Sequence, residues 1–110
     1  MSYTLRVEQA VKDLIASWGI PVPVLRDFYL RAVDSLEGPT ARLRLREPSP
    51  DELAENYKYV ITVDDHARAD RHYQFFLSID IHGHEVWVVQ CDCWLVDRDG
   101  NVVWSSDGAQ

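Results

Sequence analysis

Three groups of residues in this sequence carry side chains able to do chemistry. The first is HGH at 82–84 with CDC at 91–93. Imidazoles and thiolates are zinc ligands, but all must converge on one ion, with bonds no longer than about 2.3 Å. His84 and Cys91 stand seven residues apart in a run that reads as one strand, which puts them ~23 Å apart if it is extended. Cys91 and Cys93 share a strand face with Trp87, Val89 and Leu95, so they are expected as reduced core residues. A bridge between them is disfavoured, since Cα atoms ~6.6 Å apart with parallel Cβ vectors lie at the edge of disulfide geometry. No metal site and no cofactor is expected. The second group, His66, His72, Asp64, Asp65 and Asp70, surrounds one polar run. Paired acids and imidazoles can move protons, but a polar loop needs no function to have this composition. The third group is Arg42, Arg44 and Arg46, three guanidinium groups at alternating positions. They could bind phosphate or a partner's carboxylates. Equally, they could pair with neighbouring acids on a solvated edge strand. No serine stands in a nucleophile-elbow context and no glycine-rich phosphate loop occurs, so a covalent nucleophile is unsupported.

Composition narrows the partners. The 110 residues suffice for one domain, expected to span 1–110, with a core built without disulfides or metals. Eighteen acids against eleven Lys and Arg give a formal charge of −7. That balance opposes the phosphate neutralisation on which nucleic-acid binding runs and favours a protein or small-molecule partner. No stretch reaches the ~20 apolar residues of a membrane span. The opening MSYTLRVEQAVKDLIASWG mixes charges into a helical pattern and predicts no signal peptide. With unbridged cysteines, this predicts a cytoplasmic protein.

The elements that must position these groups follow from hydrophobic rhythm. Val7, Ala10, Val11, Leu14, Ile15 and Trp18 form one helix stripe, stopped by Gly19. Leu25, Phe28, Tyr29, Ala32, Val33 and Leu36 form a second, after the IPVP break, and Gly38-Pro39 ends it. Tyr3–Arg6 fits either a strand or extra helix. The period then becomes two: a short strand within Ala41–Glu47, a turn or two of helix begun at Ser49, and a strand with Tyr57, Tyr59, Ile61 and Val63 on one face. Tyr73, Phe75, Leu77, Ile79 and Ile81 mark a third strand. Trp87, Val89, Cys91, Cys93 and Leu95 mark a fourth, long enough to predict a bulge near Gln90–Asp92. DRDGN is a hairpin turn, Val102–Trp104 a final short strand, and residues 105–110 a frayed tail. The predicted fold is α+β: two N-terminal antiparallel helices packed on a curled antiparallel β-meander of about four strands.

This order, with Arg42-Leu43-Arg44 and Tyr57-Lys58-Tyr59 as its sharpest local echoes, resembles the RelE/ParE superfamily of bacterial toxin–antitoxin toxins. Its members open with a strand reading like YxLxF, run helix–helix, pass an RLRG-type segment and finish in a curled antiparallel sheet. The resemblance spans about residues 3–96 and implies one of two activities. RelE-like members cleave ribosome-bound mRNA with basic residues on the sheet; ParE-like members inhibit DNA gyrase by protein contact. Here Tyr73 is followed by Gln74 where the family often has arginine, and the basic residues that usually end the last long strand give way to Asp92–Trp94. The resemblance therefore implies a toxin-fold protein acting by protein binding, on an antitoxin or a cellular target, rather than an intact ribonuclease. Arg42, Arg44, Arg46, Lys58 and Arg71 are the phosphate- or partner-binding candidates. Two alternatives stand beside it. One is a cystatin-like or nuclear-transport-factor-like domain binding an apolar ligand in a pocket lined by Tyr59, Trp87 and Phe75. The other is a ribosome-dependent mRNA endonuclease whose basic residues have moved to Arg42, Arg44, Lys58 and Arg71.

Overall fold

The computed structural model describes residues 3–38 and 58–107, and at Lys58 the backbone alone. The strand expected within 41–47, the helix begun at Ser49, and Arg42, Arg44 and Arg46 lie outside the described residues, as does the side chain of Lys58.

The first segment settles as strand β1, Thr4–Val7, because β4 supplies its hydrogen bonds. Thr4 N–H donates to the His84 carbonyl at 2.8 Å, and the strand runs parallel to Glu85–Val88. Helix α1 follows at Gln9–Ser17 and buries Val11 and Ile15. It ends at Gly19, whose φ of +71 suits a residue without Cβ. Helix α2 covers Val22–Leu36. It begins inside the proline-containing break rather than after it, since Pro23 falls in the first turn, where a missing N–H costs nothing. Its buried residues Val24, Phe28, Ala32 and Leu36 recur every fourth position and so form one row. Three hydrogen bonds tie its end to β1 and the residue before it: Leu5 N–H donates to Glu37 Oε2 at 3.0 Å, Gly38 N–H to the Tyr3 carbonyl at 2.9 Å, and Tyr3 N–H to the Gly38 carbonyl at 3.5 Å.

The remaining strands are β2 (Lys58–Asp64), β3 (Arg71–His82), β4 (Glu85–Asp97) and β5 (Val102–Ser105). From β2 to β5 each is antiparallel to its predecessor, giving the expected meander. β1 makes the curled sheet mixed and five-stranded, in the order β1-β4-β3-β2. β1 and β5 share one edge of β4, the first against Glu85–Val88 and the second against Trp94–Val96. Both helices lie on the same side of the sheet, α1 over β4 and α2 over β2 and β1. Phe28 of α2 stacks on Phe75 of β3 with ring centroids 4.1 Å apart.

A bulge corrects the expected face of β4. Ser78 pairs with Gln90 but Ile79 pairs with Val88, leaving Val89 as the extra residue. One inserted residue reverses a period of two. Val86 and Val88 therefore face the helices ahead of the bulge, and Cys91, Cys93 and Leu95 face them beyond it. Trp87 and Val89 do not belong to that buried row. A second register shift, between Leu95 and Val96, leaves Val103 unpaired in β5.

Ser105 and Ser106, expected within a frayed tail, are held by the sheet instead. Ser105 belongs to β5, and Ser106 is bonded to Cys93 twice, Oγ accepting from the Cys93 N–H at 2.7 Å and its own N–H donating to the carbonyl at 2.8 Å. Both cysteines are unbridged and buried. Burial, reinforced by the Asp92 carboxylate, pushes the Cys91 thiol up to about 12 from its ordinary 9.0. Burial raises Cys93 as well, with Cys91 adding to it. Native protein is therefore expected to leave a thiol reagent unreacted at pH 8, and to react with it rapidly in denaturant. The unfolded chain gives up these protons near pH 9 while the folded one holds them. Their contribution to stability is therefore complete below pH 9 and lost as pH rises toward 12. Urea midpoints measured from pH 8 to 11.5 should fall.

Candidate functional site

The loop between β2 and β3 is built around Asp65, which is buried although charged. A buried carboxylate must be paired, and Asp65 Oδ2 accepts from Arg71 Nε at 3.1 Å and Nη2 at 2.9 Å. Its Oδ1 takes the Ala67 N–H at 3.0 Å, closing a turn, and its backbone N–H donates to the Arg71 carbonyl at 3.2 Å. The other acids and imidazoles here are separated rather than convergent. Arg68 grips Asp70 through Nε and Nη2, at 3.0 and 2.7 Å, and this bonding holds the Asp70 carboxyl below its usual range. His66 Nε2 reaches Asp27 of α2 at 2.7 Å, and His72 lies against Gln74 at 3.3 Å. The composition that could have moved protons thus organises a loop. Among the described residues, no group of three or more His, Cys, Asp or Glu is placed to share a metal ion. No described helix is long and apolar enough to cross a membrane.

Of the five cations singled out in the sequence, Arg71 is the one whose side chain is described. It lines a cleft of about 320 Å³ between the α1–α2 turn and the end of the sheet. Trp18, Ile20, Tyr73, Leu95 and Trp104 complete most of the wall. Trp18 and Trp104 meet edge to face with centroids 6.4 Å apart. Tyr73 is buried here, and desolvation, with the nearby Asp65 carboxylate, raises its phenol above the ordinary value. Tyr59, Trp87 and Phe75, expected to line one apolar pocket, do not share a face of the sheet. Phe75 is fully buried and Tyr59 packs against the same core, while Trp87 alternates away from its buried neighbours Val86 and Val88. Its indole Nε1 donates to Glu85 Oε1 at 3.3 Å instead.

The opposite face of the sheet carries no helix among the described residues. Across it, register aligns Val60, Phe76 and Asp92 in one row and Thr62, Gln74, Trp94 and Ser105 in the next. Phe76 and Trp94 pack edge to face at 4.8 Å. Val60 is 47% and Trp94 38% exposed, and Phe76 beside them is half-buried, so large apolar side chains here are in contact with water. Asp64, Asp80 and Asp92 stand in the same alternating phase around it and are exposed. Neither Phe76 nor Val60 emerges from a search for catalytic residue types. Their sequence signal is subtler: large apolar side chains in the phase of a strand that otherwise reads polar.

Set against protein-family models, curated proteins and solved structures, the chain matches none.

Proposed function

We propose that this chain is a RelE/ParE-like toxin-fold protein of a bacterial toxin–antitoxin system, and that it acts in the cytoplasm by binding another protein through the open face of its sheet. The observation that carries the reading is the Val60–Phe76–Trp94 patch. An exposed tryptophan packed on a half-buried phenylalanine, on a sheet face that no helix covers among the described residues, has the aromatic character in which protein interfaces are enriched. The succession of a strand, two helices and a meander supports the toxin-fold part of the reading. The excess of acids supports a protein partner over nucleic acid. Arg42, Arg44 and Arg46 are assigned in this reading to the carboxylates of an antitoxin or a cellular target.

Induced expression in a bacterial host tests this. Growth should arrest, and Trp94→Ala should lift the arrest. The substitution removes one exposed ring and an edge-to-face pair worth about 1 kcal/mol, so Tm should fall by no more than about 8 °C. Absence of arrest, or arrest by the variant equal to that of the parent, would overturn the reading.

A further inference from the structure

We propose that the cleft walled by Trp18, Trp104 and Arg71 binds a small aromatic monocarboxylate. The site opens on the helix side of the sheet, so it stands independently of the interface assigned to the other face. Its volume, about 320 Å³, lies at the small end of ligand pockets and suits a one- or two-ring molecule. The indoles of Trp18 and Trp104, set edge to face at 6.4 Å, offer flat apolar walls against which such a ring can lie.

Arg71 supplies the polar end. Asp65 engages it with a single oxygen, Oδ2, through Nε and one N–H of Nη2. Among the described residues no acceptor takes the Nη1 donors, which leaves part of the guanidinium fork available in the cleft. Guanidinium geometry matches a carboxylate. The buried Asp65 fixes the orientation of the group in advance, so little side-chain freedom remains to be lost on binding. The same pairing sets the charge preference. Arg71 and Asp65 together are neutral, in a chain of net charge −7. Such a pair accommodates one negative charge at hydrogen-bond range far better than the two of a phosphate monoester.

Titration by nuclear magnetic resonance, following the indole N–H signals of the four tryptophans, tests the proposal. Indole-3-acetate is the probe, and indole-3-acetamide, of the same shape but neutral, is the control. The signals of Trp18 and Trp104 should shift saturably while those of Trp87 and Trp94 stay in place. The acid should bind at least tenfold tighter than the amide. Arg71→Lys keeps a cation beside Asp65 but loses the fork, and should weaken the acid about tenfold while leaving the amide unchanged. Trp104→Leu should weaken both. Should Arg71→Lys fail to fold, the comparison of acid with amide on the parent protein decides alone. Equal affinity for acid and amide, or shifts confined to Trp87 and Trp94, or no shift at all, would overturn the proposal.

Discussion

Replacing Arg71 by methionine is expected to lower stability at pH 7 by about 3–5 kcal/mol, the usual cost of stranding one member of a buried pair. The partner left behind is Asp65, whose side chain is 3% exposed against 25% for the arginine. Methionine matches much of the arginine stem, so the loss comes from the charge left without its donors rather than from a void. Asp65 would retain the Ala67 N–H alone. A double-mutant cycle isolates the effect. Asp65→Asn in the parent turns an amide donor toward a guanidinium and should also destabilise. Asp65→Asn with Arg71→Met removes both charges and should be more stable than Arg71→Met alone. Urea unfolding of the four proteins gives the coupling directly, and additivity would mean that the pair does not hold the loop.

Phe75→Ala is expected to cost about 3–5 kcal/mol, the range for deleting a buried aromatic ring. Phe75 has no exposed surface and sits where the sheet meets α2, stacked on Phe28. Its deletion leaves a cavity whose lining includes that helix. With native domains stable by about 5–15 kcal/mol, a loss of this size removes a large share of the total. The measurement is the urea midpoint at unchanged slope, since an altered slope would signal a different compactness instead. Phe75→Leu refills much of the volume and should recover more than half of the loss.

Much of the architecture is readable in the residues because each element has one wet and one dry side. Phe28, Ala32 and Leu36 of the second helix stripe and the alternation Tyr73, Phe75, Leu77, Ile79 are periodic signals that packing preserved, although Val33 of that stripe is exposed and Val24, outside it, is buried. What was not readable had non-local causes. β1 is a strand because β4 happens to lie beside it, a pairing 81 positions away at Thr4 and Glu85 that no local pattern contains. The bulge was visible as excess length in β4, but its place at Val89 depends on the register of β3. That misplacement reversed the face given to Trp87. The sites were less legible than the fold. Arg71 stood out as a cation, yet its orientation depends on Asp65 being buried, which a polar loop does not advertise. The cleft unites Trp18 with Trp104, residues from a helix turn and the last strand.

Phe76 is the next residue after Phe75 and points to the other side of the sheet, so the two together ask whether one face maintains the fold while the other is free to act. Equilibrium urea unfolding of Phe75→Ala and Phe76→Ala, made in the same background, answers it most directly. Phe76 is half-buried and packs edge to face on Trp94 outside the core cluster, and its removal should cost about 1 kcal/mol. A gap of at least about 2 kcal/mol between the variants is the predicted result. Equal losses would contradict it, because they would place the open face within the folding core and leave no surface to spare for a partner.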